Sequence, residues 1–243
     1  MRIQQEQKQA AALKAAEYIR DNMILGLGTG STAYYLIRRA GELVKEGMRL
    51  QAVATSRASE KLAEEFGIPV ADINEVPRID LTIDGVDEID PDFEAVKGGG
   101  GALTREKITA YHSGQVIWIM DHRKQVSRLG AFPLPVEVLP FGWRLLSEKI
   151  HGLGYTPILR TGNGQAYQTD NGNYILDIHS PSPAGYRKLS DLLHSYPGVV
   201  ETGYFPSVCS RIIVADSTDI RVIENKNRNV QMQMPKLKQA ENN

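Results

Sequence analysis

Short apolar runs and helically spaced apolar positions take turns along the first half of the chain. Ala11, Leu13, Ala15, Ala16 and Ile19 sit among good helix formers and predict a helix over 8–19. The compact run 23–27 predicts a buried strand, and a helical pattern follows over 33–46. The same alternation continues with a strand at 50–54, a helix at 56–66 that stops at Gly67, a strand at 79–83, a helix at 104–111 and a strand at 116–120. Strands that alternate with helices in this way predict βαβ units, and so a parallel sheet with helices on both faces.

The pattern changes at the Pro-rich stretch Phe132-Pro133-Leu134-Pro135, read as a joint. Beyond it the periods predict a helix at 143–152, strands at 156–159 and 174–178, a helix at 184–194 and a strand at 199–202. The β-type run 211–215 is expected to return to the main sheet. The fold class is therefore α/β, a Rossmann-like parallel-sheet domain with a second, smaller α+β domain. Residues 1–130 with 206–224 are expected to form the first, residues 131–205 the second, and residues 225–243 a polar C-terminal tail that is flexible or packs between subunits.

Composition narrows the function classes. The chain has 243 residues, 42% of them hydrophobic, which suffices for a sizeable core. Lys and Arg number 28 against 29 Asp and Glu, a net charge of −1. No global basic field exists to attract a nucleic-acid backbone, so no nucleic-acid partner is expected. The longest apolar runs are far too short to span a bilayer, and no signal peptide is visible, so a soluble cytoplasmic protein with no membrane partner is expected. A single cysteine, Cys209, excludes an internal disulfide and a Cys-rich metal cluster, and fits a reducing compartment. The five histidines show no metal-ligand spacing.

Three segments carry candidate chemistry. Gly26-Leu-Gly-Thr-Gly-Ser-Thr32 lies between a strand and a helix. Its glycines allow close backbone approach, and the helix N-terminus offers free N–H groups, as a phosphate or carboxylate cradle requires. A plain strand-to-helix turn with a Ser or Thr cap is the competing account. A dinucleotide fingerprint is disfavoured, because Ser31 stands where the third glycine belongs and no acid follows the next strand. A P-loop is disfavoured because no lysine follows Gly30. The second segment, Asp84-Gly-Val-Asp-Glu-Ile-Asp90, follows a strand end, where carboxylates can bind hydroxyls or move protons; it could equally be a solvated turn. The third is Lys97-Gly-Gly-Gly-Gly-Ala-Leu-Thr-Arg-Glu106. Four glycines in a row cost backbone entropy and suggest close approach of a ligand or of another backbone. Lys124 follows the strand at 116–120 and could reach the same crevice. Together these groups suit a small, hydroxylated, phosphorylated substrate undergoing proton transfer.

The three segments closely resemble the signatures of type A ribose-5-phosphate isomerases. Lys124-Gln-Val, Phe132-Pro-Leu-Pro-Val-Glu-Val138, Thr169-Asp-Asn-Gly-Asn173, Ile175-Leu-Asp177 and Pro197-Gly-Val-Val-Glu-Thr-Gly203 match in family order. The resemblance spans about residues 8–216. It implies interconversion of ribose 5-phosphate and ribulose 5-phosphate in the pentose phosphate pathway, without a metal or an organic cofactor. It implies that Glu106 is the general base, that Asp84 assists ring opening, and that Asp87 and Lys97 hold or polarise the reacting oxygens. Thr29, Gly30, Ser31, Thr32, Gly85, Val86, Gly98, Gly99, Gly100 and Lys124 are implied as substrate contacts, with Asp84, Asp87 and Lys97 among them. A homodimer or homotetramer is the expected assembly. The wording at 180–186, at 209–212 and after Glu224 departs from the family's. The alternatives are a related sugar-phosphate isomerase or deaminase, a CoA-transferase-like enzyme using a glutamate nucleophile, and a non-catalytic sugar-phosphate sensor.

Overall fold

The computed structural model describes residues 2–180 and 185–226. Its centre is a six-stranded sheet of β1 (Met23–Leu27), β2 (Leu50–Ala54), β3 (Ile79–Gly85), β6 (Ser113–Asp121), β14 (Arg211–Ala215) and β15 (Ile220–Glu224), in the order β15-β14-β6-β3-β1-β2. The first five strands in chain order pair in parallel, and β15 adds an antiparallel edge. Helices α1 (Arg2–Ala16), α2 (Ser31–Lys45), α3 (Arg57–Glu65) and α4 (Leu103–Tyr111) complete this layer. The run 211–215 lies beside β6, as its β-type pattern predicts, whereas the half-exposed β15 gave too weak an alternation to read.

Burial explains the order. Ala11, Ala12 and Ala15 of α1 are fully buried with Leu36 and Ile37 of α2 and the strand residues Leu25, Leu81 and Ile117. A second cluster, including Val116, Trp118, Phe205 and Val214, collects on the side chains that alternate with these. Buried strands read as continuous apolar runs because both faces are covered. Helix α1 begins at Arg2, several residues before the predicted start at Lys8, and Lys8 reaches the site from its N-terminal half.

A four-stranded antiparallel sheet forms from β7 (Leu134–Val138), β8 (Thr156–Leu159), β11 (Tyr174–His179) and β12 (Val199–Thr202), ordered β12-β7-β11-β8. It packs with α5 (Trp143–Gly152) and α6 (Tyr186–His194) around a core including Val136, Ile150, Leu176 and Leu189. The stretch read as a joint thus runs into an inner strand, with Pro135 inside it. The carbonyl of Pro135 accepts from Gly203 N. The carbonyl of Gly203, which a non-proline residue would bond in return, accepts Lys97 N at 2.9 Å. The donor that proline lacks is supplied by the lysine carrying the candidate chemistry.

Between the two layers lies a small sheet of β4 (Glu88–Ile89), β5 (Ala95–Val96) and β13 (Tyr204–Phe205), too short to predict. A two-residue ladder of β9 (Thr161–Gly162) and β10 (Gln165–Ala166) closes a surface loop. Residues 181–184, part of the departing wording at 180–186, and residues 227–243 of the expected tail lie outside the described residues. Among the described residues no helix is long and apolar enough to cross a membrane.

Candidate active site

The chain crosses from one side of β1 to the other when it passes from β2 to β3. In an open parallel sheet such a reversal leaves a crevice beyond the strand ends. The loop after β1 and the loop after β3 flank it, and the loop 97–102 before α4 closes it. The resulting cleft, about 260 Å³, is lined by Thr29, Gly30, Ser31, Thr32, Gly85, Val86, Asp87, Lys97, Gly98, Gly100, Glu106 and Lys124, with Lys8 added from α1. Asp84 is buried behind this lining, and Gly99 is exposed outside it, its N–H bonded to Asp87.

The anion cradle is built on Gly30, whose φ of 103° only glycine adopts without strain, at the N-terminus of the 15-residue α2. Thr29 Oγ1 is fixed by Thr55 Oγ1 at 2.7 Å and Ser56 Oγ at 2.9 Å. Lys8 Nζ donates to Ser31 Oγ at 2.8 Å. A cation, a hydroxyl and the positive end of a helix therefore converge where a phosphate would sit.

Asp84 is 1% exposed. Its Oδ1 accepts Thr29 N at 3.0 Å and Gly85 N at 2.7 Å, and its Oδ2 accepts Lys97 Nζ at 2.9 Å. A Cβ on residue 28 would lie 2.0 Å from that Oδ1, so Gly28 makes room for the carboxylate. Lys97 Nζ lies 4.8 Å from the Trp118 ring centroid and 3.5 Å from Glu106 Oε2. Asp87 accepts Gly99 N at 2.7 Å and lies 4.0 Å from Lys124 Nζ.

Glu106 projects from the first turn of α4 and is 4% exposed. Its Oε2 is fully buried and has no hydrogen-bond partner. Two buried carboxyl groups thus share one buried ammonium, with Asp87 close by. Asp84 has backbone donors and Glu106 has none, so Glu106 is the harder to ionise. Burial, with Asp84 and Asp87 opposing Lys97, pushes Glu106 up to about 8. Burial also pushes Asp84 up, against Lys97 and the backbone N–H groups. Burial pulls Lys97 down, but Asp84, Glu106 and Asp87 outweigh it and hold the ammonium above its ordinary value. A carboxyl poised near neutrality beside a fixed cation can take a proton and return it, while the cation stabilises the oxygen that becomes negative. Among the described residues no cluster of His, Cys, Asp and Glu side chains is arranged to hold a metal ion.

Three supporting residues escaped the sequence. Lys8 falls on a mostly polar stretch with nothing to distinguish it. Arg160 Nη1 donates to Gly98 O at 2.7 Å while its Nε bonds Asp177 Oδ2 at 2.9 Å, pinning the glycine loop to the small sheet layer. Glu137, fully buried, accepts from Thr104 Oγ1, Thr169 Oγ1, Asn171 Nδ2 and Asn173 Nδ2, and ties the first turn of α4 to the loop 169–173. The charged residue inside the apolar word 134–138 was the available signal for Glu137; Arg160 offered none.

The family model described as ribose 5-phosphate isomerase A (phosphoriboisomerase A) matches residues 51–219. A ribose-5-phosphate isomerase A from Listeria monocytogenes is 46% identical over 210 residues, covering 86% of this chain and 94% of that protein. One from Enterococcus faecalis is 47% identical over 209 residues, covering 85% and 92%. The solved ribose 5-phosphate isomerase from Plasmodium falciparum superposes with a TM-score of 0.88 at 33% identity, covering 91% of this chain and 99% of that one. A D-ribose-5-phosphate isomerase solved in complex with phospho-erythronic acid gives 0.87 at 37% identity, covering 91% and 99%.

Proposed function

The chain belongs to the ribose 5-phosphate isomerase A family, and from that premise we propose how its residues carry out the isomerisation of ribose 5-phosphate. The deaminase, CoA-transferase and sensor readings are not favoured by these likenesses. The phosphate takes the cradle of Thr29, Gly30, Ser31 and Thr32, with Lys8 and Lys124 as counter-charges. Ring opening moves a proton from the O1 hydroxyl to the ring oxygen, and the hydrogen-bonded pair Asp84 and Lys97 is assigned to it. Glu106 then takes the C2 proton of the open-chain aldose. Lys97 and Asp87 hold O1 and O2 as the cis-enediolate forms, and Glu106 returns the proton to C1. Gly85, Val86, Gly98, Gly99 and Gly100 approach the sugar through backbone. The buried, unpartnered Oε2 of Glu106, 3.5 Å from Lys97 Nζ and lining the cleft that ends in the cradle, carries this assignment. A phosphorylated sugar acid of the kind held by the solved relative is expected to occupy the same cleft and compete with substrate.

The test is turnover of ribose 5-phosphate to ribulose 5-phosphate with EDTA present and Glu106→Gln run in parallel. Turnover that collapses in the variant supports the base and needs no added metal. Absence of turnover by the folded parent overturns the scheme.

The main layer, residues 1–130 with 206–224, is proposed as the catalytic domain, and residues 131–205 as the lobe that braces it. Leu139, Phe141 and Leu145 on that lobe are 46%, 94% and 72% exposed, which supports contact between copies in a homodimer or homotetramer. Loss of the assembly by Phe141→Ser in light scattering would assign the patch. A cytoplasmic location is proposed from the lone thiol and the phosphorylated substrate.

A further inference from the structure

The anion cradle has a cavity on each side. One is the catalytic cleft. The other, about 580 Å³, is larger and lies among α1, α2 and α3, and it shares Lys8, Thr29, Gly30 and Ser31 with the cleft. A phosphate monoester projects one carbon skeleton from the cradle, into the cleft, and leaves the second cavity unused. A ligand filling both must continue beyond the phosphate. We propose that the chain also isomerises the reducing-end ribose of a nucleoside diphosphate ribose, with the nucleoside held in this second cavity.

The lining has the chemistry of a nucleobase site. Tyr34 is 41% exposed, and its ring is fixed by edge-type contacts with Tyr35 and Phe66 at 5.4 and 6.3 Å between centroids. A fixed, accessible aromatic ring is a stacking platform for any base. Gln4 and Gln5 add two primary amides from α1, each able to donate to and accept from a base edge. Leu62 supplies an apolar wall. The diphosphate would span the shared rim, where Lys8 Nζ stands 2.8 Å from Ser31 Oγ at the N-terminus of α2. The extra negative charge of the second phosphate thus meets a cation facing both cavities.

The reaction needs nothing beyond the proposed function, on which this inference rests. The reducing-end ribose of such a ligand has a free anomeric carbon and an esterified O5, as ribose 5-phosphate does. Glu106 removes the C2 proton and delivers it to C1, while the O2 proton passes to O1. The carbonyl moves from C1 to C2, so C1 is reduced and C2 oxidised by the same electron pair. Because O5 stays esterified, the ketose product cannot close a furanose ring and remains open-chain.

The probe is ADP-ribose, incubated with the full chain in D2O and followed by proton NMR, with ribose 5-phosphate turnover measured in the same preparation. Deuterium is expected in the reducing-end sugar, and ADP-ribose is expected to inhibit ribose 5-phosphate turnover competitively. Tyr34→Ala should weaken that inhibition at least about fivefold, the lower end of a lost base stack, with the KM for ribose 5-phosphate within about twofold of the parent. Ala58→Trp, a change at an exposed lining position on α3, should block ADP-ribose by filling the cavity. Normal ribose 5-phosphate turnover without deuterium in ADP-ribose overturns the proposal. Labelling unaffected by both variants also overturns it, because the nucleoside then lies elsewhere. Loss of ribose 5-phosphate turnover itself would instead overturn the parent reading.

Discussion

Two buried glutamates flank the first turn of α4, and their surroundings are opposite. Glu137 is fully buried and receives four hydrogen bonds, all from uncharged side chains. Glu106, hardly more exposed, has a single cation at 3.5 Å, two other carboxyl groups nearby and an oxygen with no hydrogen-bond partner. A buried carboxylate surrounded by donors is a structural bolt, since each donor offsets part of its desolvation. One left short of donors keeps its affinity for a proton. On the proposed scheme, the contrast separates what holds the site together from what reacts in it.

The largest effect should come from Glu106→Gln. Loss of a general base lowers kcat by about 10²–10⁴-fold, with KM little changed because the cradle is intact. The folded chain should not suffer. With the Glu106 carboxyl raised from its ordinary 4.5 to about 8, the folded state holds that proton more tightly than the unfolded state does. Its contribution to stability is complete below the ordinary value and is lost as pH rises to about 8. At pH 8 and above, Glu106→Gln should therefore melt no lower than the parent in a thermal scan. A large drop in its Tm would break the comparison.

Glu137→Ala should do the reverse. It strands the donors of Thr104, Thr169, Asn171 and Asn173, a loss of roughly 3 kcal/mol. For a chain of this size that lowers Tm by roughly 6–12 °C. At a temperature where the variant is still folded, kcat should fall far less than in Glu106→Gln. Equal losses of kcat would make Glu137 part of the reacting machinery and collapse the distinction.

The same contrast explains what was legible in the sequence. The strand-helix alternation and the three glycine and acid segments are local patterns, and the site residues they flagged line the cleft, apart from Asp84, buried behind it, and Gly99, exposed in the loop and bonded to Asp87. What the segments could not reveal is how each charge is satisfied. Nothing in the sequence shows that Asp84 is closed off by Lys97 and two backbone N–H groups while Glu106 is left short, because those donors come from residues up to 55 positions away. Arg160 and Lys8 were hidden for a related reason: an arginine just after a short strand and a lysine on a mostly polar helical stretch acquire a role only through the packing of two layers. The strand containing Pro135 was missed because proline argues against an inner strand, and only Lys97 N, supplied from another layer, makes it fit.

The pH dependence sharpens the contrast within the site. As the proposed base, Glu106 can act only when ionised, so kcat/KM should rise with pH, about tenfold per unit well below the midpoint, and level off above about 8. Asp87 raises Glu106 through its negative charge. Asp87→Asn should therefore move the midpoint of the surviving activity down by up to about one unit. An upward movement would mean that the proton seen in the profile does not belong to Glu106.

The smallest effect is expected at Arg160, where the bracing and the reacting regions meet. Its guanidinium bonds Asp177 and Gly98 O together, and a lysine can reach one of them but cannot reproduce the fork. The glycine loop would keep its fold, since Gly98 and Gly101 hold φ of 108° and 83° without help from a side chain. What loosens is the loop's position over the sugar. Arg160→Lys should therefore raise KM about threefold, with kcat and the pH midpoint unchanged, as befits the loss of one partly exposed charged contact. A change in the pH midpoint instead would show that Arg160 acts on the charge balance around Glu106, and would move it from the brace to the reacting region.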